Sequence, residues 1–391
     1  MKILSVNAGS SSLKFTMFEL PEEEVIISGT FEKIGIEGSF YTIKYNGEKT
    51  RKEVELKNHT EAVKILLEEL INYKVIKSYD EIAGVGHRLL HGGSKYVESV
   101  LVDEDVMNTI EELIPLGPLH NPANLAGIKS FKEVLPDTPM TVVIDTSFHQ
   151  TMKEEEFLYA VPYEWYERYG VRRYGFHGTS HRYIASKMHE LLGKDVKIIS
   201  CHIGNGASLC AIKDGKCVAT SMGFTPTPGV IMGTRCGDID VAMIPYVMSE
   251  TGMSFDEVMN ALQKKSGMLG LTGISSDMRD IEEGYQRQDP KCVTAMKMYA
   301  GKIVDYLVMY NAKLEGADAI VFTAGVGENS DLVRKMVVDR LAFMGVKLDE
   351  EKNQTRGITG KISTDDSTID VYVIPTNEEL MIARDTYNLA K

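Results

Sequence analysis

Two segments of the chain, residues 3–15 and 197–212, repeat one pattern of strand, turn and strand. Each begins with an apolar run, continues through a tight turn rich in Asn, Gly and Ser, and ends with a second apolar run. A turn of this composition leaves backbone N–H groups and hydroxyls pointing outward. Because the same hairpin occurs once in each half of the chain, we expect a duplicated domain.

A third turn of similar composition, Gly325–Asn329, follows an apolar run and opens a predicted helix. Three turns that present hydrogen-bond donors favour a polyphosphate ligand, because phosphate oxygens bind to clustered backbone N–H groups. The alternative is that each turn is an ordinary hairpin in which Gly and Asn adopt positive φ. For any one turn the two interpretations are equally good, but the three together favour the phosphate.

Short β-rich runs alternate with amphipathic segments throughout the chain, which predicts α/β layers. The central runs are almost continuously apolar, as expected for a sheet covered on both faces. The predicted strands are Ile3–Asn7, Met140–Asp145, Lys197–Ile203, Ala319–Thr323 and Asp370–Pro375. The predicted helices are Thr60–Ile76, Asp103–Ile114, Ser180–Leu192, Ser254–Lys264, Pro290–Leu314 and Asn329–Phe343.

Local signals add detail to this pattern. Ser254 with Glu257, and Thr376 with Glu379, fit the capping-box spacing at a helix start. The polar segment Phe40–Arg51 carries Asn-Gly in its middle and predicts an antiparallel hairpin.

The size and composition of the chain limit its class. At 391 residues it is expected to form two or three domains. Hydrophobic residues make up 43% and charged residues 25%, the balance of a globular protein. No apolar run approaches the ~18 residues of a membrane span, and the N-terminus lacks the features of a signal peptide. The five cysteines form no CxxC pair, which indicates reduced thiols in the cytoplasm.

The formal net charge of −13 argues against a nucleic-acid or anionic-membrane surface, since both require basic stripes. A chain with this charge can bind an anion only through a local group of arginines or lysines and oriented N–H groups. A Walker loop is absent, which excludes the P-loop class. Gly325–Asn329 matches part of a dinucleotide fingerprint but lacks the third glycine, so a nicotinamide-dependent dehydrogenase is a weak alternative.

Four segments place a long cationic or imidazole side chain among glycines or small hydroxyl residues, where a ligand could approach the backbone. They are Gly86–Gly93, Tyr174–His181, Met232–Asp240 and Ser275–Asp280. A solvated or salt-bridged surface arginine is the commoner fate of this residue type. Glycines on both sides make that explanation weaker for Arg88 and Arg235.

Longer motifs run through the chain in order: Val6–Lys14, Met222–Pro226 continuing to Met232–Arg235, Gly175–His181, Phe322–Ser330 and Asn377–Leu380. In these motifs the chain, from Ile3 to about Leu380, resembles the acetate kinase family, of the sugar kinase, Hsp70 and actin superfamily. The length and order of the motifs make this resemblance far more specific than a single glycine pattern.

The resemblance implies reversible, Mg²⁺-dependent phosphoryl transfer between ATP and acetate, giving acetyl phosphate and ADP by direct in-line attack. Its implied catalytic residues are Arg88, Asp145, His177 and Arg235. Arginine suits a transferring phosphoryl group because its planar fork stays charged and donates bidentately. Asp145 is expected to orient an arginine or the substrate, since a carboxylate nucleophile needs no general base. A core or capping role is the alternative for His177, and strand-end capping for Asp145.

By the same resemblance, Mg²⁺, or Mn²⁺ in its place, binds near Asn7 and Glu378, and Lys14 lies near the ATP phosphates. A plain helix N-cap is the alternative for residues 376–379, although it gives Glu378 no task. The implied nucleotide-binding residues are His202, Ile203, Gly204, Asn205, Gly206, Asp277, Met278, Arg279, Gly325, Val326, Gly327, Glu328 and Asn329. The intact glycine turns favour ATP over the pyrophosphate that some relatives use.

The implied acyl pocket consists of Leu90, Leu119, Phe176 and Pro226. The family commonly has valine at the position of Leu90, and the extra methylene predicts a preference for acetate over propionate or butyrate. A second departure is Thr227-Pro228, where many members have Leu-Glu; the added proline stiffens this loop.

We expect two lobes with duplicated ribonuclease-H-like α/β cores and a nucleotide cleft between them. The expected boundaries are 1–147, completed by the C-terminal helix 378–391, and 148–377. A homodimer is implied by the resemblance only. The alternatives are a propionate or butyrate kinase of the same family and an actin- or Hsp70-like nucleotide-driven binding module. An acetate- and ATP-dependent hydroxamate assay separates them, since only a kinase makes an acyl phosphate.

Overall fold

The computed structural model describes all 391 residues, which form two compact units. The N-terminal unit consists of Met1–Phe148 together with Asn377–Lys391, and the C-terminal unit of His149–Thr376. Each unit is built on one β-sheet. None of the helices combines the length and the apolar character that crossing a membrane requires.

The sheet of the N-terminal unit has eight strands in the order β5-β4-β3-β2-β1-β6-β8-β7. Its strands are β1 Lys2–Ala8, β2 Ser12–Glu19, β3 Glu24–Glu32, β4 Phe40–Tyr45, β5 Glu48–Glu53, β6 Ile82–Leu89, β7 Val100–Leu101 and β8 Met140–Ile144. Its helices are α1 His59–Asn72, α2 Glu104–Glu112 and α3 Asn121–Val134. Short 3₁₀ turns occur at Tyr79–Glu81 and Ile114–Leu116, and a third, Ser147–Thr151, spans the boundary to the next unit.

The sheet of the C-terminal unit has six strands in the order β11-β10-β9-β12-β14-β13. Its strands are β9 Ile198–Ile203, β10 Ala207–Lys213, β11 Lys216–Thr220, β12 Ala319–Thr323, β13 Gly360–Lys361 and β14 Asp370–Val373. Its helices are α4 Glu154–Phe157, α5 Tyr163–Tyr169, α6 Gly178–Leu192, α7 Met243–Thr251, α8 Phe255–Lys264, α9 Gly267–Thr272, α10 Met278–Gln286, α11 Pro290–Lys313, α12 Ala324–Asn329 and α13 Asp331–Val338. Two 3₁₀ turns follow, Asp339–Met344 and Lys352–Gln354.

The two sheets share a five-strand core with the same order and the same strand directions. In the N-terminal unit this core is β3-β2-β1-β6-β8, and in the C-terminal unit it is β11-β10-β9-β12-β14. The first three strands pair antiparallel and the last two join in parallel in both. The prediction of a duplicated α/β core is therefore confirmed.

The last helix of the chain, α14 Glu378–Leu389, belongs to the N-terminal unit and packs against β1, β6 and β8. Close packing depends on two glycines of β6. A Cβ atom added at Gly84 would lie 2.9 Å from the Thr386 side chain, and one added at Gly86 would lie 2.2 Å from it. On the other face of the sheet, α1 and α3 contribute to a core with Leu4, Val6 and Val85.

Several local predictions are confirmed. The hairpin of β4 and β5 turns at Asn46 and Gly47, which both have positive φ, as an Asn-Gly turn requires. Helix α8 begins with the predicted capping box of Ser254 and Glu257. None of the five cysteines forms a disulfide.

Two predicted helices extend well past the observed ends. Helix α1 ends at Asn72 rather than Ile76, because Lys74 adopts positive φ and the N–H of Val75 returns to the carbonyl of Leu70. The predicted helix 329–343 is α13 followed by the tighter 3₁₀ turn.

The segment Gly325–Asn329 is helical and not a turn, which corrects the sequence interpretation. It forms most of α12, which follows β12 directly and in which Ala324 has a φ of +64°. Glycines disfavour a helix on their own. Here the buried guanidinium of Arg334 donates a hydrogen bond to the carbonyl oxygen of Gly327 at 2.9 Å and so stabilises the helical conformation of the segment.

The predicted capping box of Thr376 and Glu379 is also wrong. Asn377 is the N-cap of α14, and its side chain accepts a hydrogen bond from the N–H of Leu380 at 3.0 Å. Glu378 and Glu379 therefore occupy the first two helical positions, where carboxylates are favoured by the helix dipole.

Candidate active site

Three predicted site residues of the N-terminal unit lie at the carboxyl ends of neighbouring strands. Asn7 is near the end of β1, Arg88 near the end of β6, and Asp145 directly follows β8. These strands are adjacent and parallel, so their carboxyl ends meet at one edge of the sheet. This edge is where ligands bind in open α/β sheets.

Arg88 and Asp145 form an ion pair with 2.5 Å between Nη2 and Oδ2. Asp145 is completely buried, whereas 23% of the Arg88 side chain is exposed. The negative charge of Asp145 raises the pKa of the Arg88 guanidinium, so Arg88 is a permanent cation. Its Nε is buried and has no hydrogen-bond partner in the structure. Arg88 thus retains donor capacity for an oxygen acceptor.

Arg88 lines a cavity of about 350 Å³ together with Asn7, Lys14 and Leu90. The amine of Lys14 contacts the carboxylate of Glu379. Leu119, predicted for the acyl pocket, is 64% exposed in the loop before α3 and does not line this cavity, whereas His120 does.

Glu378, the first residue of α14, is partly buried near this group of charges. Burial raises the pKa of its carboxyl to about 7, and the charges of Asp145 and Glu379 act in the same direction, while Arg88 opposes them. The negative form of Glu378 is therefore costly unless a cation comes close.

Two buried asparagines of α3 hold the segment that follows Arg88, and the sequence analysis missed them. Asn124 accepts from the N–H of Leu90 at 3.1 Å and donates to the carbonyl of Ala8 at 2.8 Å. Asn121 forms two hydrogen bonds with the backbone of His91. The signal was a pair of amide side chains three residues apart on an otherwise apolar helix face.

In the C-terminal unit, His202 and Ile203 end β9 and the turn Gly204–Gly206 joins it to β10. The Arg235 guanidinium lies close to this turn. A Cβ atom added at Gly206 would be 3.2 Å from Arg235 Nη2. Arg235 Nη1 donates to the carbonyl of Pro226 at 2.8 Å. The structure therefore brings together the two predicted residues Arg235 and Pro226.

A second cavity, of about 540 Å³, is lined by most of the predicted nucleotide-binding residues. They are Gly204, Asn205, Asp277, Met278, Arg279, Gly325, Val326 and Asn329. Arg279 forms an exposed ion pair with Asp277, which caps α10.

The other predicted nucleotide residues do not line this cavity: His202, Ile203, Gly206, Gly327 and Glu328. Glu328 instead accepts a hydrogen bond from the N–H of Thr376 at 3.0 Å, and the Gly327 carbonyl accepts from Arg334. Arg334 was missed by the sequence analysis. The only signal in the sequence was a cationic residue on the apolar face of α13. In the structure, burial lowers the pKa of the Arg334 guanidinium to about 10.

His177 occupies the N-cap position of α6 with a left-handed φ of +58°. Its Nδ1 lies 2.9 Å from Ser208 Oγ, and its ring stacks on the ring of His202 with 4.0 Å between centroids. The residue before it, Phe176, is buried, and its carbonyl lies 2.9 Å from His149 Nε2.

The other nitrogen of His149 lies 3.2 Å from Cys217 Sγ, which in turn is 3.4 Å from Cys210 Sγ. All three side chains are buried. They form a hydrogen-bonded group that supports the backbone of Phe176 from the interior.

Two sheets with one shared strand order, and arginines and glycine turns at their carboxyl ends, define an α/β protein of a phosphate-binding class. The comparisons with known proteins narrow this class. The model of the acetokinase family matches residues 2–384, and the chain belongs to that family.

Relatives of high identity cover the whole chain. The acetate kinase of Geobacillus kaustophilus is 54% identical over 392 residues, covering 100% of this chain and 99% of the relative. That of Bacillus subtilis is 52% identical over 393 residues, covering 100% of both. The crystal structure of Porphyromonas gingivalis acetate kinase superposes with a TM-score of 0.96 at 44% identity, covering 100% of both chains. A propionate kinase from Francisella tularensis gives 0.94 at 36% identity, covering 99% of each.

Proposed function

We propose that this protein catalyses reversible phosphoryl transfer between ATP and acetate, forming acetyl phosphate and ADP. The observation that carries the proposal is Arg88, a permanent cation whose partly exposed side chain lines a cavity at the carboxyl ends of β1 and β6. Membership of the acetokinase family supplies the identity of the reaction.

The nucleophile in this proposal is an acetate oxygen, which attacks the γ-phosphorus of ATP in line with the leaving ADP oxygen. Acetate is ionised at neutral pH, so no group has to remove a proton from it. Catalysis then depends on positioning and on stabilising negative charge at the equatorial oxygens.

Arg88 and Arg235 are the two guanidinium groups that we assign to the transferring phosphoryl group, and Arg88 also to the acetate carboxylate. Asp145 is a positioning residue: its buried carboxylate accepts from Arg88 Nη2 and leaves the exposed part of the guanidinium for a ligand. His177 is assigned as a hydrogen-bond donor to the same phosphoryl group.

Asn7 and Glu378 fit a magnesium ion, because both offer the hard oxygen ligands that this ion prefers. The raised pKa of Glu378 supports the assignment, since a nearby divalent cation would favour the ionised carboxylate. When bound, Mg²⁺, or Mn²⁺ in its place, would screen the phosphate charge. Lys14 is assigned to the ATP phosphates, and the cavity of about 540 Å³ to the nucleotide.

The acyl pocket is assigned to Leu90, Phe176 and Pro226, with Leu119 as a fourth member that is exposed in this structure. A propionate kinase in the same family makes propionate the second candidate substrate. The extra methylene of Leu90 relative to valine favours acetate. We further propose a homodimer that works in the cytoplasm, on the family resemblance and the reduced thiols.

The test is acyl-phosphate formation, trapped as the hydroxamate, over a panel of short carboxylic acids with ATP, GTP and pyrophosphate as donors. We expect magnesium-dependent product with ATP and acetate, and a lower kcat/KM with propionate. Nucleotide hydrolysis without an acyl phosphate would instead support a nucleotide-driven binding module.

A further inference from the structure

A row of polar side chains lies between α6 and the sheet of the C-terminal unit. Ser208 pairs with His202, and Cys210 with Ser200, across β9 and β10, so all four side chains are on one face. His177, the N-cap residue of α6, and His181, in its first turn, both contact this face through Ser208.

Ser208 connects the two histidines. Its Oγ is 2.8 Å from His181 Nε2 and 2.9 Å from His177 Nδ1. On the other side of its ring, His181 Nδ1 is 2.9 Å from Ser200 Oγ. Ser200, His181 and Ser208 are completely buried, so water does not compete for these bonds.

The chemistry of these groups limits the placement of hydrogens. A serine hydroxyl has one hydrogen, so Ser208 can donate to only one of the two histidines. If its buried hydrogen is to be used in this group, Ser208 donates to one histidine and accepts from the other. His181 is neutral, because burial and the neighbouring His149 and His202 rings hold its pKa well below the usual value. A neutral ring carries one N–H, which leaves two arrangements that both satisfy every group.

In the first arrangement Ser200 donates to His181 Nδ1, His181 Nε2–H donates to Ser208, and the Ser208 hydroxyl donates to His177 Nδ1. A neutral His177 then carries its hydrogen on Nε2. In the second arrangement every bond is reversed, and a neutral His177 has a bare Nε2. Phosphoryl oxygens only accept hydrogen bonds, so only the first arrangement gives a neutral His177 that can donate to them.

We propose that Ser208 and His181 are positioning residues that hold His177 as the neutral tautomer with its hydrogen on Nε2. The choice of this tautomer rests on the proposed function, because only donation to a phosphoryl oxygen distinguishes the two arrangements, whereas the contacts among Ser200, His181, Ser208 and His177 do not. The two residues act through His177 and touch no substrate.

The tautomer is measured by long-range ¹H–¹⁵N correlation on the full chain with ¹⁵N-labelled histidine, without substrate. The His177 signals are assigned by their loss in His177→Gln. We expect the Nε2–H pattern in the unsubstituted protein. In Ser208→Ala we expect the two ring-nitrogen shifts to move towards each other, as the tautomers mix. The kcat of Ser208→Ala should fall about 10-fold, the effect of one lost hydrogen bond, with KM for both substrates within about 2-fold.

Two further variants separate positioning from packing. His181→Gln keeps an N–H donor at the position of Nε2 and should preserve the His177 pattern, whereas His181→Phe should not. Ser5→Ala is the matched control, because Ser5 is also a buried strand serine but its hydroxyl has no hydrogen-bond partner. It should leave both the His177 spectrum and kcat unchanged. Thermal unfolding of each variant identifies loss of fold.

An Nδ1–H pattern in the unsubstituted protein would overturn the proposal, and so would an unchanged His177 pattern in folded Ser208→Ala. Because the spectrum needs no turnover, failure of the acetate assay with an intact Nε2–H pattern would count against the proposed function alone.

Discussion

The two arginines at the centre of the proposal have opposite surroundings in their own units. Arg88 of the N-terminal unit is paired with the buried carboxylate of Asp145, whose charge raises its pKa. Arg235 of the C-terminal unit contacts only neutral acceptors, the Pro226 carbonyl oxygen and the thioether sulfur Sδ of Met232, and burial lowers its pKa. Arg88 thus has a carboxylate partner within its own unit, whereas Arg235 is a partly buried cation without one.

The largest expected effect is that of Arg88→Ala. It should lower kcat by at least about 10³-fold, the typical effect of an arginine on phosphoryl transfer. It should also lower the free energy of unfolding by about 3–5 kcal/mol, because the buried carboxylate of Asp145 loses its ion pair with Arg88. Steady-state kinetics and urea unfolding measure the two losses. The exposed Arg168, removed as Arg168→Ala, is the control and should change neither. Undiminished turnover of Arg88→Ala would refute the mechanism.

Arg235→Ala should lower kcat by a similar factor of about 10³ but leave the unfolding free energy unchanged or higher. The physical reason is that the substitution removes a partly buried charge that has no carboxylate partner. The same urea titration tests this. A loss of unfolding free energy as large as that of Arg88→Ala would show that the two arginines contribute to stability in the same way.

A buried histidine of the N-terminal unit extends the comparison to pH. His87 has no partner for Nε2, and burial lowers its pKa to about 3, whereas both ring nitrogens of His181 are bonded. Below pH ~6.5 the unfolded chain protonates His87 while the folded chain does not, so stability falls as the pH drops from 6.5 towards 3. His87→Phe should flatten this part of the stability profile by up to about 4 kcal/mol. An unaltered profile would show that His87 does not contribute to it.

The smallest expected effect concerns the acyl pocket. Leu90→Val should raise kcat/KM for propionate relative to acetate by a few-fold and by less than about 10-fold, since one methylene in an apolar pocket is worth little more. The effect should appear mainly in KM. A ratio that does not change would remove Leu90 from the specificity-determining residues.

The parts of the fold that follow local rules could be predicted from sequence. The paired hairpins, the β4–β5 turn and the Ser254 capping box depend on residues close together in the chain. The helix at Gly325–Asn329 could not be, because its support comes from Arg334 and from the tertiary contacts of that side chain.

The same limit applies to the candidate site. Arg88 and Arg235 were identified from glycines beside them, but the surroundings of Arg88 depend on Asp145, 57 residues further along the chain. Those of Arg235 depend on a loop that brings the Pro226 carbonyl back to the guanidinium. Asn124, Ser208 and His181 were not assigned roles for the same reason: each acts on a backbone or ring that only the folded sheet brings near.

The packing of α14 against Gly84 and Gly86 has a consequence for how the protein is made. Helix α14 completes the N-terminal unit, yet it follows the whole C-terminal unit in the chain. During synthesis, one face of β6 stays uncovered while more than half of the polypeptide is still being translated. The first sheet to emerge from the ribosome is therefore the last to be finished, and ribosome-bound chains that stop before residue 378 should be more sensitive to proteases in their first half than in their second.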